Sequence, residues 1–184
     1  MVKLFKYQNY SVTISEEALL LKPFKKIWLR DKSKSKEKAL LELGFIYFYC
    51  DPRSDYQYLV DDDDRKTAIK QGEGLPENWK PDTVVEDAIE FYNSFKPTSA
   101  LLLEDTRVAV SKLRTLLKNI DLDKVDDKGK PIYTLNVITA TIKQIPSLVK
   151  DLDEAEKALT SELREAGKMR GQGEKTLFED SLSI

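Results

Sequence analysis

The fold is decided by residues 35–58, SKEKALLELGFIYFYCDPRSDYQY, which hold an almost continuous apolar run over residues 40–50. A helix that carries apolar side chains on every face has no face left for water, so it must be buried. Pro52 cannot continue a helix, and it moves the preceding residue away from helical angles. We therefore predict a buried helix that has Ser35 as its N-cap and ends near Cys50.

Two other structures are conceivable for this apolar run. A membrane span requires about 20 apolar residues, roughly twice the length of this run, and Glu42 interrupts it. A strand over FIYFY, residues 45–49, is the second alternative, because aromatic residues and isoleucine favour sheets. The buried helix is favoured over both, and we expect no membrane contact.

Composition indicates one domain, or one domain with arms, in a chain of 184 residues. An apolar content of 41% is sufficient for a core, and 34% charged residues give a well-solvated surface. The net charge of −2 argues against a general nucleic-acid binder. We predict a mainly α fold, a helical bundle with an extended N-terminal arm over residues 1–14, a helical domain over 15–168 and a C-terminal docking tail over 169–184.

Cysteine and histidine usage restricts the chemistry. Cys50 is the single cysteine, so no intrachain disulfide forms, and we expect it in the core as a small hydrophobe. Since the first residues also lack a signal-peptide pattern, we expect folding in a reducing cytoplasm. The chain has no histidine, which removes the commonest general base and the commonest metal ligand. We predict that the protein is not an enzyme and has no catalytic, metal or cofactor site.

Carboxylate clusters are the remaining candidates for metal chemistry. Four consecutive aspartates, residues 61–64, suggest a site for a hard cation such as magnesium. They also precede RKTAIKQG, where a helix start favours negative charge, and this capping interpretation is preferred. The loop at residues 121–131 resembles a calcium loop, but Val125 and Asp126 stand where a ligand and a glycine are needed. We predict an ordinary polar loop there.

The N-terminal arm ends in an alternating pattern, with Tyr10, Val12 and Ile14 on one side. This pattern predicts a strand. One strand in a helical protein lacks an obvious partner, so it pairs with a later strand, joins another molecule by strand addition, or frays. All three alternatives stay open.

A basic segment covers residues 22–38, with eight lysines or arginines against two acids. It is either a solvated hinge between helices or an electrostatic docking surface for an acidic partner or a phosphate backbone. The candidate interface residues here are Lys25, Lys26, Arg30, Lys32 and Lys34.

Further helices follow from caps and apolar spacing. Ser15 and Asp82 are predicted N-caps, and Trp79 is expected to hold its loop to the core. A long helix is predicted over residues 99–120. Residues 133–145 are rich in β-branched side chains but fit helical spacing, so helix is preferred to strand. Pro146 is predicted to start a separate last helix with the apolar stripe Leu148, Leu152, Ala155, Leu159, Leu163 and Ala166.

The tail after Gly173 carries apolar side chains among charges. Such side chains need burial, either against the chain's own domain or in a neighbouring molecule, and docking in a neighbour is preferred. The candidate interface residues are Leu177, Phe178, Leu182 and Ile184.

Two segments of the first half of the chain, EKALLELGFIYFYCDPRSDY (37–56) and DDDDRKTAIKQGEGLPENWKPDTVVEDAIEFY (61–92), resemble small virion proteins of tailed bacteriophages. The resemblance is to the neck, or head-to-tail connector, proteins of crAss-like phages. It rests on the overall residue pattern of the two segments and on no diagnostic motif. It implies a helical adaptor in a twelvefold homo-oligomeric ring between portal and tail, and it implies no catalytic residues.

The expected function is therefore that of a structural virion protein, made in the host cytoplasm and placed in the neck. Its expected partners are further copies of itself, the portal and other neck or tail proteins. DNA passes through the ring without being read. The alternative is a phage-encoded soluble module that binds or regulates a host or phage protein, and an enzyme using the aspartates at 61–64 is the least favoured hypothesis.

Overall fold

A computed structural model of the protein describes residues 4–8 and 11–168. It is mainly helical, as predicted, and its described residues divide into two compact units on either side of the boundary between Lys96 and Pro97. The first unit contains β1 (Phe5–Gln8), β2 (Ser11–Ile14), α1 (Glu16–Leu20), α2 (Lys22–Arg30), α3 (Glu37–Cys50), a 3₁₀ helix (Asp55–Tyr58), α4 (Asp62–Gly72) and α5 (Thr83–Asn93). The second unit contains α6 (Thr98–Lys118) and α7 (Leu135–Lys168).

This division differs from the single helical domain expected over residues 15–168. The boundary falls at Pro97, which stands at the N-cap of α6 and separates it from the end of α5. Each unit has buried apolar residues of its own. The described N-terminal strands belong to the first unit.

Helix α3 is the centre of the first unit, as its composition predicts. Leu43, Phe45 and Ile46 are completely buried, and the helix ends at Cys50. Leu40 and Leu41 are the exceptions, because both remain exposed near the start of the helix. The FIYFY segment is helical, which removes the strand alternative.

The start of α3 differs from the prediction, since Ser35 is not the N-cap. Lys36 takes that position in a left-handed conformation with φ of 55° and no capping bond from its side chain. The capping role belongs to Asp31, whose carboxylate accepts hydrogen bonds from the N–H groups of Ala39 at 3.0 Å and Ser33 at 2.9 Å. The Ser35 prediction was wrong because an acid from the end of α2 reaches the first turn of α3.

The predicted strand has a partner within its own segment. β1 pairs antiparallel with β2, with Phe5 opposite Ile14 and Gln8 opposite Ser11. Phe5 is buried, and its ring centroid lies 5.6 Å from that of Phe24 and 5.8 Å from that of Tyr92. The three alternatives considered for the strand did not include this hairpin with an earlier strand, although Phe5 to Gln8 already alternates apolar with polar residues.

Three other capping predictions of the first unit, those for Ser15, Asp61 and Asp82, are confirmed. The side chain of Ser15 accepts from the N–H of Ala18, and that of Asp82 accepts from the N–H of Val85. Asp61 caps α4 by accepting from the N–H groups at positions 63 and 64. Trp79 packs as predicted, with its ring centroid 4.7 Å from that of Phe45.

The second unit is an antiparallel helical hairpin. Ser99 Oγ donates to Glu162 Oε2 at 2.5 Å, and Arg107 Nη2 donates to Glu156 Oε1 at 2.8 Å, so α6 and α7 run in opposite directions. The described core of this unit consists of Ala100, Leu103, Ala155 and Leu159, with Leu152 and Leu163 packed against it. The predicted stripe on the last helix is therefore confirmed for Leu152, Ala155, Leu159 and Leu163.

Helix α7 continues through Pro146, so the prediction of two helices was wrong. Proline removes one backbone N–H donor and crowds one carbonyl, yet the helix continues before and after Pro146. Residues 135–145 are helical, as preferred. Among the described residues, no helix has both the length and the apolar character needed to cross a membrane.

Candidate partner interface

Helix α2 presents one side to the core and the other to solvent. Phe24 and Ile27 are completely buried between α2 and the rest of the first unit. The lysines on and after the helix are exposed, and we name them the basic ridge: Lys22, Lys25, Lys26, Lys32 and Lys34. Four of the five predicted interface residues of this segment are therefore exposed.

Arg30, the fifth predicted residue, does not belong to this surface. Its guanidinium lies 2.6 Å from a carboxylate oxygen of the buried Glu42 and 2.6 Å from one of Asp82. Burial disfavours the charged guanidinium, but hydrogen bonds to Glu42 and Asp82 outweigh this and raise the pKa of Arg30. Arg30 is thus an internal link between α2, α3 and α5, and the prediction of a docking role for it is corrected.

The other members of the segment are held to different degrees. Lys26 Nζ lies 3.8 Å from Asp87 Oδ2, and both side chains are about half exposed. Lys36 is drawn inward, where its ammonium donates to the carbonyl oxygens of Trp28 and Asp31. In the part of the chain that the structure describes, no carboxylate lies within ion-pair distance of Lys25, Lys32 or Lys34.

Two exposed leucines accompany the basic ridge, and sequence reasoning missed both. Leu20, at the end of α1, and Leu29, four residues after Lys25 on α2, expose most of their side chains. Since Lys25 and Leu29 are four residues apart, they lie on one face of the helix. This face of α2 therefore offers apolar area next to positive charge.

The N-terminal candidates are engaged inside the chain. Val12 and Ile14 are half-buried in β2, and Val12 packs on α3 beside Gly44, where a Cβ would lie 4.0 Å from it. Tyr10 and the tail candidates Leu177, Phe178, Leu182 and Ile184 lie outside the described residues.

The hairpin of α6 and α7 exposes a larger apolar surface, which the sequence predictions also missed. The exposed large apolar side chains of the two helices include Leu101, Leu102, Val108, Leu116, Leu135, Val137, Ile142 and Val149. The buried residues described in this unit all lie near one end of the hairpin, where residues 100–103 of α6 pack against residues 155–159 of α7. The sequence could have predicted this surface, because both helices carry more apolar residues than a single buried stripe can contain.

The buried acids of the first unit are satisfied by internal partners. Asp51 is completely buried. It accepts from Arg53 Nε at 2.8 Å and from the Tyr92 hydroxyl at 2.6 Å. Burial alone would raise the pKa of Asp51, but hydrogen bonds and charge from Arg53 lower it overall. Burial and the Asp51 charge raise the pKa of Tyr92, so the hydroxyl stays protonated. This cluster joins the end of α3 to α5 and has a structural role.

The acidic cluster at residues 61–64 also has internal partners. Asp61 caps α4, and Asp62 accepts from Lys66 Nζ at 2.5 Å and from the Tyr49 hydroxyl at 2.5 Å. Within the described residues, no three potential ligands converge in a way that could hold a metal ion.

The chain was compared with models of protein families, with curated proteins and with solved structures. None of the three comparisons finds a match.

Proposed function

We propose that this protein works by assembling with other proteins and that it is a subunit of the head-to-tail connector ring in the neck of a tailed bacteriophage. The observation that carries the proposal is the exposed apolar surface of the α6–α7 hairpin. Two helices alone bury little apolar area, and further burial stabilises by about 25 cal/mol for each Å² removed from water. A protein partner provides that burial.

A role in assembly, and no enzymatic role, is also supported by how the buried charges are used. Glu42 is paired with Arg30, and Asp51 is bonded to Arg53 and Tyr92. Each of these groups links elements of the first unit, as expected for side chains that fix a rigid shape. The Arg30–Glu42 pair holds α2 against α3 and thereby orients the lysines that α2 carries.

The basic ridge supplies a second contact surface in this proposal. Its lysines and the neighbouring Leu29 suit an acidic protein surface, for which charge complementarity fixes orientation and speeds association. In the ring, the partner is the portal or another neck protein. DNA passes through the ring and is not read by sequence.

The placement in a phage neck rests on the resemblance of residues 37–56 and 61–92 to such proteins. Its test is mass spectrometry of purified virions, followed by chemical cross-linking within the virion. The proposal expects this chain in the virion, with cross-links to the portal or a neck protein. Its absence from virions would overturn the neck assignment and favour the alternative, a soluble module that binds a host or phage protein.

A further inference from the structure

Two exposed apolar stripes lie on the helical hairpin, one on each helix. On α7, Leu135, Ile142 and Val149 follow one another at intervals of seven residues and are 72%, 51% and 54% exposed. On α6, Leu102, Ala109 and Leu116 have the same interval, and the two leucines are 57% and 43% exposed. We name these sets the α7 outer stripe and the α6 outer stripe. A seven-residue apolar interval is the pattern by which one helix packs along another.

The two outer stripes lie on opposite sides of the hairpin. Glu156 continues the α7 outer stripe, seven residues after Val149, and it pairs with Arg107 at 2.8 Å. Arg107 therefore marks the side of α6 next to the α7 outer stripe. Ala109 is two residues later, which is about 200° around the helix. The α6 outer stripe consequently faces away from the α7 outer stripe.

We infer that neighbouring copies of this chain associate head to tail, with the α7 outer stripe of one copy packed on the α6 outer stripe of the next. The inference rests on the proposed assembly function and identifies the surface that performs it. One molecule carries two different patches on opposite sides, so the contact is heterologous and repeats from copy to copy. Such a contact builds a closed ring when the rotation between copies returns to the start.

The side chains of the two stripes match in size. Both stripes have three members at equal spacing, so in the register that pairs all three members the middle ones, Ile142 and Ala109, meet in either direction. A large residue then faces a small one at the centre, with leucine or valine on either side. This alternation allows the two helices to interdigitate.

Charge selects the antiparallel direction for this contact. With Ile142 opposite Ala109, antiparallel helices bring Asp105 level with Pro146, between Lys143 and Lys150. Parallel helices would bring Lys112 to that region and place like charges together. The antiparallel arrangement pairs Val149 with Leu102 and Leu135 with Leu116.

The test is sedimentation velocity on the full chain with one stripe disabled at a time. Ile142→Glu disables the α7 outer stripe, and Ala109→Glu disables the α6 outer stripe. Wild type should form oligomers, and each variant alone should be monomeric, with at least a tenfold weaker self-association. An equimolar mixture of the two variants should form a dimer, because each retains the stripe that the other lacks.

Two exposed positions outside the stripes provide matched controls, Gln144→Glu on α7 and Thr115→Glu on α6. Both should assemble like wild type. Circular dichroism establishes that each variant keeps the helicity of wild type. A monomeric wild type, or a mixture that stays monomeric, overturns the inference. If wild type assembles and both variants assemble equally well, the stripes are not the interface, while the proposed assembly function stands.

A cross-link test uses smaller substitutions and also reports direction. Val149→Cys and Leu102→Cys, on separate molecules, should form an interchain disulfide under mild oxidation, because opposed positions suit disulfide geometry. Val149→Cys with Leu116→Cys should not. Cross-linking of the second pair alone would contradict the antiparallel contact.

Discussion

At the scale of single residues, the first unit depends on buried charges that have a fixed set of partners. Asp51 stands at the C-cap of α3 and is completely buried, yet it keeps its charge because Arg53 and Tyr92 donate to it. Removing a donor leaves the buried Asp51 carboxylate with less compensation, which costs more than the intact interaction contributes. Asp51 is therefore a position at which loss of a polar partner should lower stability.

We expect Asp51→Asn to lower the free energy of unfolding by about 3 kcal/mol, because the buried carboxylate that accepts hydrogen bonds from both Arg53 and Tyr92 is lost. Tyr92→Phe removes one hydrogen bond to the same carboxylate and should cost about 2 kcal/mol. Urea unfolding followed by circular dichroism measures both. The exposed Asp55→Asn is the control and should change stability by less than about 0.5 kcal/mol. Equal stability of all three variants would contradict a structural role for the cluster.

Asp31 provides a pH-dependent contribution. Hydrogen bonds from Ser33 and from the backbone N–H of Ala39 lower its pKa to about 2, below the usual aspartate value of about 3.9. A carboxylate with a lowered folded-state pKa stabilises the protein above its unfolded pKa, and this contribution is lost as pH falls through the folded pKa.

The stability difference between wild type and Asp31→Asn should therefore be constant above about pH 5 and should shrink between about pH 4 and pH 2. Urea midpoints measured from pH 7 to pH 2 test this expectation. A difference that is the same at every pH would show that the Asp31 charge does not cap α3.

At the scale of secondary structure, α7 is a single helix that contains a proline. Pro146 cannot donate to the carbonyl of Ile142, so the middle of α7 lacks one hydrogen bond. An interior proline costs about 3 kcal/mol relative to alanine. The helix persists because residues 152–163 pack on α6 at one side of the proline.

We expect Pro146→Ala to stabilise the second unit by about 2 kcal/mol and to slow amide hydrogen exchange over residues 142–150. Ser147→Ala, at the neighbouring exposed position, is the control for helix propensity alone and should contribute less than about 0.5 kcal/mol. Unchanged exchange in Pro146→Ala would mean that the proline imposes no local weakness.

Sequence predicted the elements whose cause is local. Ser15 and Asp82 cap helices through bonds to residues three positions away, and the buried α3 follows from its own composition. The elements that it missed depend on partners distant in the chain. Asp31 caps a helix from eight residues away, and Arg30 meets Asp82 across 52 residues. No local pattern distinguishes Arg30 from the exposed lysines beside it, which is why it was assigned to the docking surface.

The β hairpin and the two outer stripes are a different case, since their patterns were present in the sequence. Alternation over residues 5–8 and the seven-residue interval from Leu135 to Val149 are both visible there. The seven-residue interval was hard to recognise in the sequence, because the same helix carries a second apolar stripe, which faces α6. Only the exposure of each side chain separates the stripe that packs within the hairpin from the one that faces outward.

At the scale of the whole molecule, the proposal assigns two surfaces to two kinds of contact. The α6–α7 hairpin associates with further copies of the chain, and the basic ridge binds an acidic surface of a neighbouring neck or portal protein. The two surfaces belong to different compact units. Their effects on assembly should therefore be separable by substitution.

We expect the double variant Lys32→Glu and Lys34→Glu to weaken binding to the portal at least tenfold while self-association stays as in wild type. Both lysines are exposed, so stability should change by less than about 0.5 kcal/mol. Binding should also weaken as salt is raised from 0.05 to 0.5 M, since surface charges are screened over about 10 Å at 0.1 M. Lys157→Glu, an exposed lysine of the second unit, is the matched control. Portal binding that is insensitive to both charge reversal and salt would exclude the basic ridge as the contact.

The most direct measurement of the central claim is native mass spectrometry of the purified chain, alone and mixed with the portal protein of the same phage. The proposal predicts a closed homo-oligomer, or a complex of several copies that forms when the portal is added. A chain that stays monomeric in both samples, at every concentration measured, would contradict it.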